Sequence, residues 1–417
     1  MKQILFAALL TIGAQCATAQ TVMFRGQNHC GIFAAEKSLM KQWPDGGPEK
    51  KWVVTNLGKG NTSAIVADGF IYTTGLTEDE QNEQLTCLRL DGSLVYQTVY
   101  GKAWTKSFQE TRCSPIVDGD RLYVVSGMGE VVCLNRKDGK NMWTFEYWER
   151  YGLTPNDQGI CEQPLILGDK IIFNAAGKEV TMTALNKLTG DIIWQSPSFG
   201  EKAMYVPCCL IEWKGHRQII SATEGHLFGI DPETGKRIWS DEGWVPDPAD
   251  KKWSNAMVNT PVFYEGKLLV SLGDGHGCTL YQMADDLSSV TRIWKKKEVD
   301  FYMGGMIEID GVVYGSTGDK NLWAALDLKT GQLGYSTAWQ GGKGRGALIM
   351  ADGMFYMFDE RRGFVGLANI NPAKLDVVSE FRFTDGTGAC FAHPSIYDGT
   401  LYVRRGSALA AFNIKKK

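Results

Sequence analysis

The chain carries no excess charge of one sign: 44 Lys and Arg stand against 47 Asp and Glu, for a net charge of −3. That balance excludes the global positive field on which nucleic-acid binding draws. Its two short basic runs, Lys295-Lys296-Lys297 and Lys415-Lys416-Lys417, read as solvated surface. No CxxC pair occurs, which argues against a zinc site, and no CxxCH, so no haem attachment of that type is written. HExxH, a phosphate-binding loop and a Ser-His-Asp signature are all missing. Beyond residue 20 no apolar run is long enough to cross a bilayer as a helix.

The first twenty residues read as a leader rather than as fold. Lys2 supplies a positive start, residues 4–13 an apolar run, and Ala17-Thr18-Ala19 a small-residue cleavage site. Gln15 before Cys16 fits a lipidation signal poorly, so ordinary cleavage near Ala19 or Gln20 is expected. The mature protein is then expected to be soluble and periplasmic or secreted. Nine cysteines remain, an odd number. Cys87 and Cys133 hold matching places in their repeats, while Cys113, Cys161 and Cys390 precede first strands, as buried small hydrophobes would.

What is present is repetition. The stretch 114–143 reads as three short strands and the start of a fourth, separated by Gly and Asp turns. Its first turn and second strand recur eight times, beginning near Asp68, Asp118, Gly168, Gly215, Gly266, Asp310, Asp352 and Asp398. A closing turn precedes an aromatic in the fourth strand: Tyr96, Trp143, Trp194, Trp239, Trp294, Tyr335 and, in a degenerate copy, Phe381. The eighth copy stops at Ile414 without a fourth strand, and an orphan strand containing Trp52 waits at the other end. Four-stranded units repeating every 40 to 50 residues predict an all-β, eight-bladed β-propeller whose last blade is closed by the N-terminal strand. The expected division is a signal peptide over 1–20, a lead-in across the ring over 21–47, and one propeller domain over 48–417.

The pattern Ser-Pro-x-Val-x-Asp-Gly-x-x-Tyr followed by Leu-Asp-x-x-Thr-Gly-x-x-x-Trp resembles the PQQ-like propeller repeat, most clearly over 114–143, 163–194 and 215–239. The resemblance covers nearly the whole mature chain and implies the fold; it says less about activity, because sites are grafted onto shared folds. Quinoprotein alcohol dehydrogenases in this superfamily hold pyrroloquinoline quinone and calcium on the propeller axis, whereas outer-membrane assembly factors are scaffolds.

Strand alternation places the Asp-Gly and Thr-Gly turns on one face of the ring. The loops that deliver the chain to each inner strand share the other face with the loops between second and third strands. Those inbound loops carry Lys59, Asn61, Arg112, Glu162, Gln163, Tyr205, Asn255, Asn259, Asp300, Tyr302, Lys343, Arg345 and His393. Lys59, Arg112, Glu162, Tyr205, Asn259, Lys343, Arg345 and His393 are the expected ligand-binding set, in a polar and aromatic axial funnel. Trp104, Trp148, Trp244, Trp253 and Trp339 lie in connections on the same side.

Three functions fit that funnel. A binding or scaffold protein would take a small molecule, a glycan or a protein on this face and needs no catalytic group. A quinoprotein dehydrogenase would need calcium oxygen ligands; by the resemblance these are Glu162, Asn255 or Asn259, and Asp300. Lys343 or Arg345 would then stand near the quinone and Trp244 or Trp253 would stack on it. Cys208-Cys209 is similar to that family's adjacent cysteine pair but follows Glu162, where the family's pair precedes its glutamate. A sugar-active lyase or hydrolase would use Tyr205, Tyr302 or His393 as acid or base. Asp300, Tyr302 and His393 are thus the catalytic candidates if there is catalysis. The binding reading is preferred, because no sharp catalytic motif is present.

Overall fold

The computed structural model describes residues 23–153, 158–205, 207–242, 258–273, 275–318, 320–342 and 344–416. Eight antiparallel sheets succeed one another along the chain, each built from four consecutive strands except at the closure. Blades one to seven occupy 65–102, 116–146, 165–197, 209–241, 262–296, 307–337 and 346–382. Blade eight takes its first three strands from 395–413 and its outer strand from Glu49–Val54, where Trp52 pairs with Ala411. The expected propeller and its N-terminal closure are both present. Blade seven gains a fifth strand, Ile32–Phe33, parallel to its innermost strand. Among the described residues no helix is long and apolar enough to cross a membrane.

The second strands read as unbroken apolar runs because both of their faces are covered. In Ile171-Ile172, the first side chain joins a cluster with blade two and the second a cluster with blade four. Leu268 and Leu269 divide in the same way between blades four and six. Successive residues of a strand point to opposite sides, so each sheet is sandwiched and the core lies between blades rather than within one.

The repeated aromatics lock neighbouring blades. The indole nitrogens of Trp52, Trp143, Trp194 and Trp294 each donate to a carbonyl of the following blade: Leu90, Lys187, Pro232 and Leu328, at 2.8–3.3 Å. Tyr96 does the same with Arg136 O. The glycine of the next closing turn lies flat against the ring: a Cβ on Gly190 would come within 2.9 Å of Trp143, and one on Gly235 within 2.3 Å of Trp194. Those glycines are required twice over, since φ is +80° and +72° there. Trp239 departs from the series and donates to Gln218 within its own blade; Gln218 in turn donates to Leu287 O of blade five.

The first hairpin turns are two residues long. In six blades both central residues have positive φ, as at Asp68-Gly69 and Asp310-Gly311, the type I′ pattern that matches strand twist. In blades two and three only the first central residue, Gly119 or Gly168, is positive. In blade two Asp118 pairs with Arg121, so the central turn pair is Gly119-Asp120.

Candidate functional site

A cavity of about 290 Å³ opens on the axis of the ring. Inbound loops of seven blades line it, with Asn61, Arg112, Gln163, Tyr205, Asn259, Tyr302 and His393 as one representative of each. Phe24 and Arg25 of the N-terminal segment complete the lining. The geometry follows from the topology: each inner strand starts beside the axis, so whatever precedes it is delivered there. Of the expected ligand-binding set, Arg112, Tyr205, Asn259 and His393 are brought together here, as is Tyr302 of the catalytic candidates.

Arg25 anchors one wall and is 4% exposed. Its Nε donates to His29 O, Nη1 to Gly304 O and Leu348 O, and Nη2 to Met306 O. Burial lowers its pKa to about 10, which leaves it charged at neutral pH. Nη1 also lies 3.0 Å from Nδ1 of His393. A guanidinium can only donate, so that ring nitrogen accepts; the ring proton sits on Nε2 and is donated to Met303 O at 3.0 Å. Burial first, and the Arg25 charge second, push the His393 pKa down to about 3. His393 is therefore a neutral imidazole with both nitrogens engaged, an orienting group rather than a ready base.

Four lining side chains keep a buried polar atom with no partner among the described residues: Asn61 Oδ1, Arg112 Nη1, Gln163 Oε1 and Asn259 Nδ2. The amide orientations are settled by the other end of each group. Asn61 Nδ2 donates to Glu110 Oε2, Gln163 Nε2 to Ser114 O, and Asn259 Oδ1 accepts from Gly305 N. Arg112 uses Nη2 on the carbonyls of Ser107 and Phe108. Asn259 and Gln163 are 2% and 3% exposed. A buried polar group left unpaired costs about 1–3 kcal/mol; two such donors and two such acceptors belong to residues that line this one cavity.

The remaining expected residues lie elsewhere. Lys59 pairs with Glu80 and stays outside the cavity. Arg345 pairs with Glu360 and places its guanidinium 3.9 Å from the centre of the Tyr302 ring, bracing that tyrosine from behind. Glu162 is buried in the wall, where Oε1 accepts from the Cys208 thiol at 2.7 Å and Oε2 from Asn174 N at 3.0 Å. Burial raises its pKa to about 8, so the carboxyl is mostly protonated at neutral pH. Asp300, 4% exposed, accepts from Gly275 N at 2.6 Å. Asn255, Lys343, Trp244 and Trp253 fall outside the described residues, as does the whole of 1–20.

Of the candidate calcium ligands among the described residues, Glu162, Asn259 and Asp300, only Asn259 lines the cavity, and its oxygen already accepts from Gly305 N. Calcium asks for six to eight oxygens, several of them charged; this trio does not fit. Cys208 and Cys209 are both free thiols. Trp104 and Trp339 pack inward, 3% and 2% exposed, so the cavity's aromatics are instead Phe24, Phe108, Tyr205, Tyr302 and Phe391.

Sequence reasoning passed over Phe24, Arg25, Phe108 and Glu110. For Arg25 one signal was available: the segment Phe24-Arg25-Gly26 lies outside every repeat, yet is followed by glycines at 26 and 31, both with positive φ. Glycines of that kind mark a chain that must turn tightly.

The family described as outer membrane protein assembly factor BamB matches residues 81–340. Quinoprotein ethanol dehydrogenase of Pseudomonas putida is 29% identical over 154 residues, which is 33% of this chain and 24% of that protein. Quinohemoprotein alcohol dehydrogenase of Comamonas testosteroni is 24% identical over 178 residues, covering 41% of this chain and 23% of its own. The chain thus spans about a quarter of the length of these curated relatives. Among solved structures, BamB from Moraxella catarrhalis superposes with a TM-score of 0.59 at 15% identity, over 88% of this chain and 98% of that one. The Comamonas testosteroni quinohemoprotein alcohol dehydrogenase gives 0.63 at 12% identity, over 88% and 77%. At such identities the superpositions establish the fold alone.

Proposed function

Because this chain belongs to the PQQ-like repeat family described as outer membrane protein assembly factor BamB, we propose that it is a propeller-shaped binding protein whose axial cavity takes a small polar ligand. One observation carries the reading: Asn61, Arg112, Gln163 and Asn259, from four different blades, line the same cavity, and each holds a buried polar atom with no hydrogen-bond partner among the described residues. The leader-like composition of residues 1–20 supports work outside the cytoplasm, in the periplasm or secreted.

A second reading, a quinoprotein dehydrogenase using pyrroloquinoline quinone and calcium, is favoured by the curated relatives, which are quinoprotein dehydrogenases by name. The placement of Glu162 and Asp300 within the wall speaks against it.

The experiment that tests both is a thermal-shift and calorimetric screen of the purified mature protein against polar metabolites, with pyrroloquinoline quinone plus calcium as a separate arm. Saturable binding of a polar metabolite, weakened by Asn259→Ala, is the expected result. Calcium-dependent quinone binding would replace the first reading with the second, and no binding in any arm would sink the pocket altogether.

A further inference from the structure

We infer that the axial cavity is a metal-independent site for a hydroxylated organic acid, whose carboxylate is received by Arg112 and whose hydroxyls are received by Asn61, Gln163 and Asn259. The inference rests on the binding reading above and adds the class of ligand.

Charge is the first argument. The described lining holds two guanidinium groups, Arg25 and Arg112, against a single carboxylate, Glu110. That carboxylate already accepts from Asn61 Nδ2. His393 adds no charge, and neither arginine makes an ion pair with any described residue, their donors going to backbone carbonyls and the neutral imidazole. Arg25 is saturated by those acceptors and acts at a distance, as fixed positive potential in a low-dielectric wall. Arg112 is not saturated: Nη1 is buried and unpartnered. A charged donor left open at a cavity that a second guanidinium also lines selects an anion, and a carboxylate is the group its planar fork matches.

The neutral atoms define the rest of the ligand. Asn259 Nδ2 offers a proton, while Asn61 Oδ1 and Gln163 Oε1 ask for one. A simple carboxylate cannot donate to either oxygen at neutral pH. Hydroxyl groups both donate and accept, so a ligand with hydroxyls beside its carboxylate answers all three amides. Tyr205, Tyr302 and Phe108 supply flat surface for its carbon skeleton. The cavity, about 290 Å³, sits at the lower end of small-molecule pockets, roughly 300–1,000 Å³.

Metal is not needed to hold the acid. Among the described residues no group of three or more His, Cys, Asp or Glu is placed to bind an ion. Of the carboxyls that would do so, Glu162 spends its oxygens on the Cys208 thiol and Asn174 N, and Asp300 Oδ2 accepts from Gly275 N. The anion's charge is met by guanidinium instead.

The test is calorimetric titration of the full mature protein with D-galacturonate, gluconate and 4-hydroxybenzoate, beside their neutral counterparts D-galactose, sorbitol and phenol. Each titration is run with and without EDTA. The acids should bind, the neutral compounds should bind at least tenfold more weakly, and EDTA should change nothing. Arg112→Met should weaken the acids roughly 10- to 100-fold, the scale of a hydrogen bond to a charged group. Arg112→Lys should recover part of that loss, while Lys59→Met, an exposed cation away from the cavity, should leave affinity unchanged. If Arg112→Met fails to fold by circular dichroism, Asn259→Asp places a repelling charge in the cavity and should abolish acid binding. Neutral compounds binding as well as acids, or binding that EDTA removes, would overturn the inference while leaving the pocket standing. Silence from all six probes alongside a metabolite found in the wider screen would also overturn it.

Discussion

The two faces of this ring are built from the same strands, yet only one is repetitive. On one face, two-residue turns with positive φ recur blade after blade, and the fourth-strand aromatics hand their polar atoms to the next blade's carbonyls. On the other, the inbound loops differ in length and residue type, and they leave Asn61, Arg112, Gln163 and Asn259 with open polar atoms. The difference separates two tasks. Where polar groups are satisfied within the chain, a surface is architecture; where buried groups stay open among residues of a shared cavity, it supports the binding role proposed for it.

The comparison breaks most severely at the repeated aromatics. Trp194→Ala removes a ring that is 7% exposed and packed between blades three and four. It should cost about 3–5 kcal/mol, read as a lowered urea midpoint, while the affinity of any axial ligand stays the same per folded molecule. Loss of binding with unchanged stability would reverse the assignment of the two faces.

Proton linkage sharpens the comparison next. His393 has its pKa pushed down to about 3, so the unfolded chain takes up a proton that the folded one refuses as pH falls below about 6.5. Its contribution to stability should therefore be lost from about pH 6.5 downward. Glu162 and Glu83 are raised by burial to about 8 and about 7. Their contribution is complete below about pH 4.5 and is lost as pH rises through those values. Each group is worth a few kcal/mol at most, since a tenfold change in proton affinity amounts to about 1.4 kcal/mol. Between about pH 4.5 and 6.5 the two glutamates outweigh the one histidine, so these three groups together place the maximum near about pH 4.5 in chemical denaturation across pH, and Glu162→Gln should flatten its alkaline side. An unchanged alkaline slope in that variant would show that Glu162 does not titrate between these states.

The smallest effect is expected at the rim. Phe108 is 64% exposed, so Phe108→Ala should change stability by no more than about 0.5 kcal/mol. Its position in the cavity lining predicts a faster ligand off-rate, measurable by stopped flow. An unaltered off-rate would remove Phe108 from the site.

Much of this was readable from residues alone. The turn-and-strand copies predicted eight blades, and the orphan strand containing Trp52 predicted the closure that pairs it with Ala411. Topology then brought Arg112, Tyr205, Asn259, Tyr302 and His393 to one cavity. Glu162 and Asp300 carry the same kind of sequence signal as those five, yet they end in the wall. Whether a loop carboxylate faces the axis or a neighbouring thiol depends on one or two backbone torsions, and no periodic pattern records them.

The stretch around Trp143 shows where the division lies. Its glycines, aspartates and aromatic are local demands: positive φ at the turn, alternation along the strand, a ring to bury between blades. A chain meets such demands residue by residue, so the sequence by itself determined the blade, its copy number and the way the ring closes. The site is not local. Arg25 meets His393 across 368 positions of chain, and the cavity draws one side chain from each of several blades. Only the closed ring decided which loops meet and which polar atoms stay open, because convergence on an axis is a property of all eight blades together.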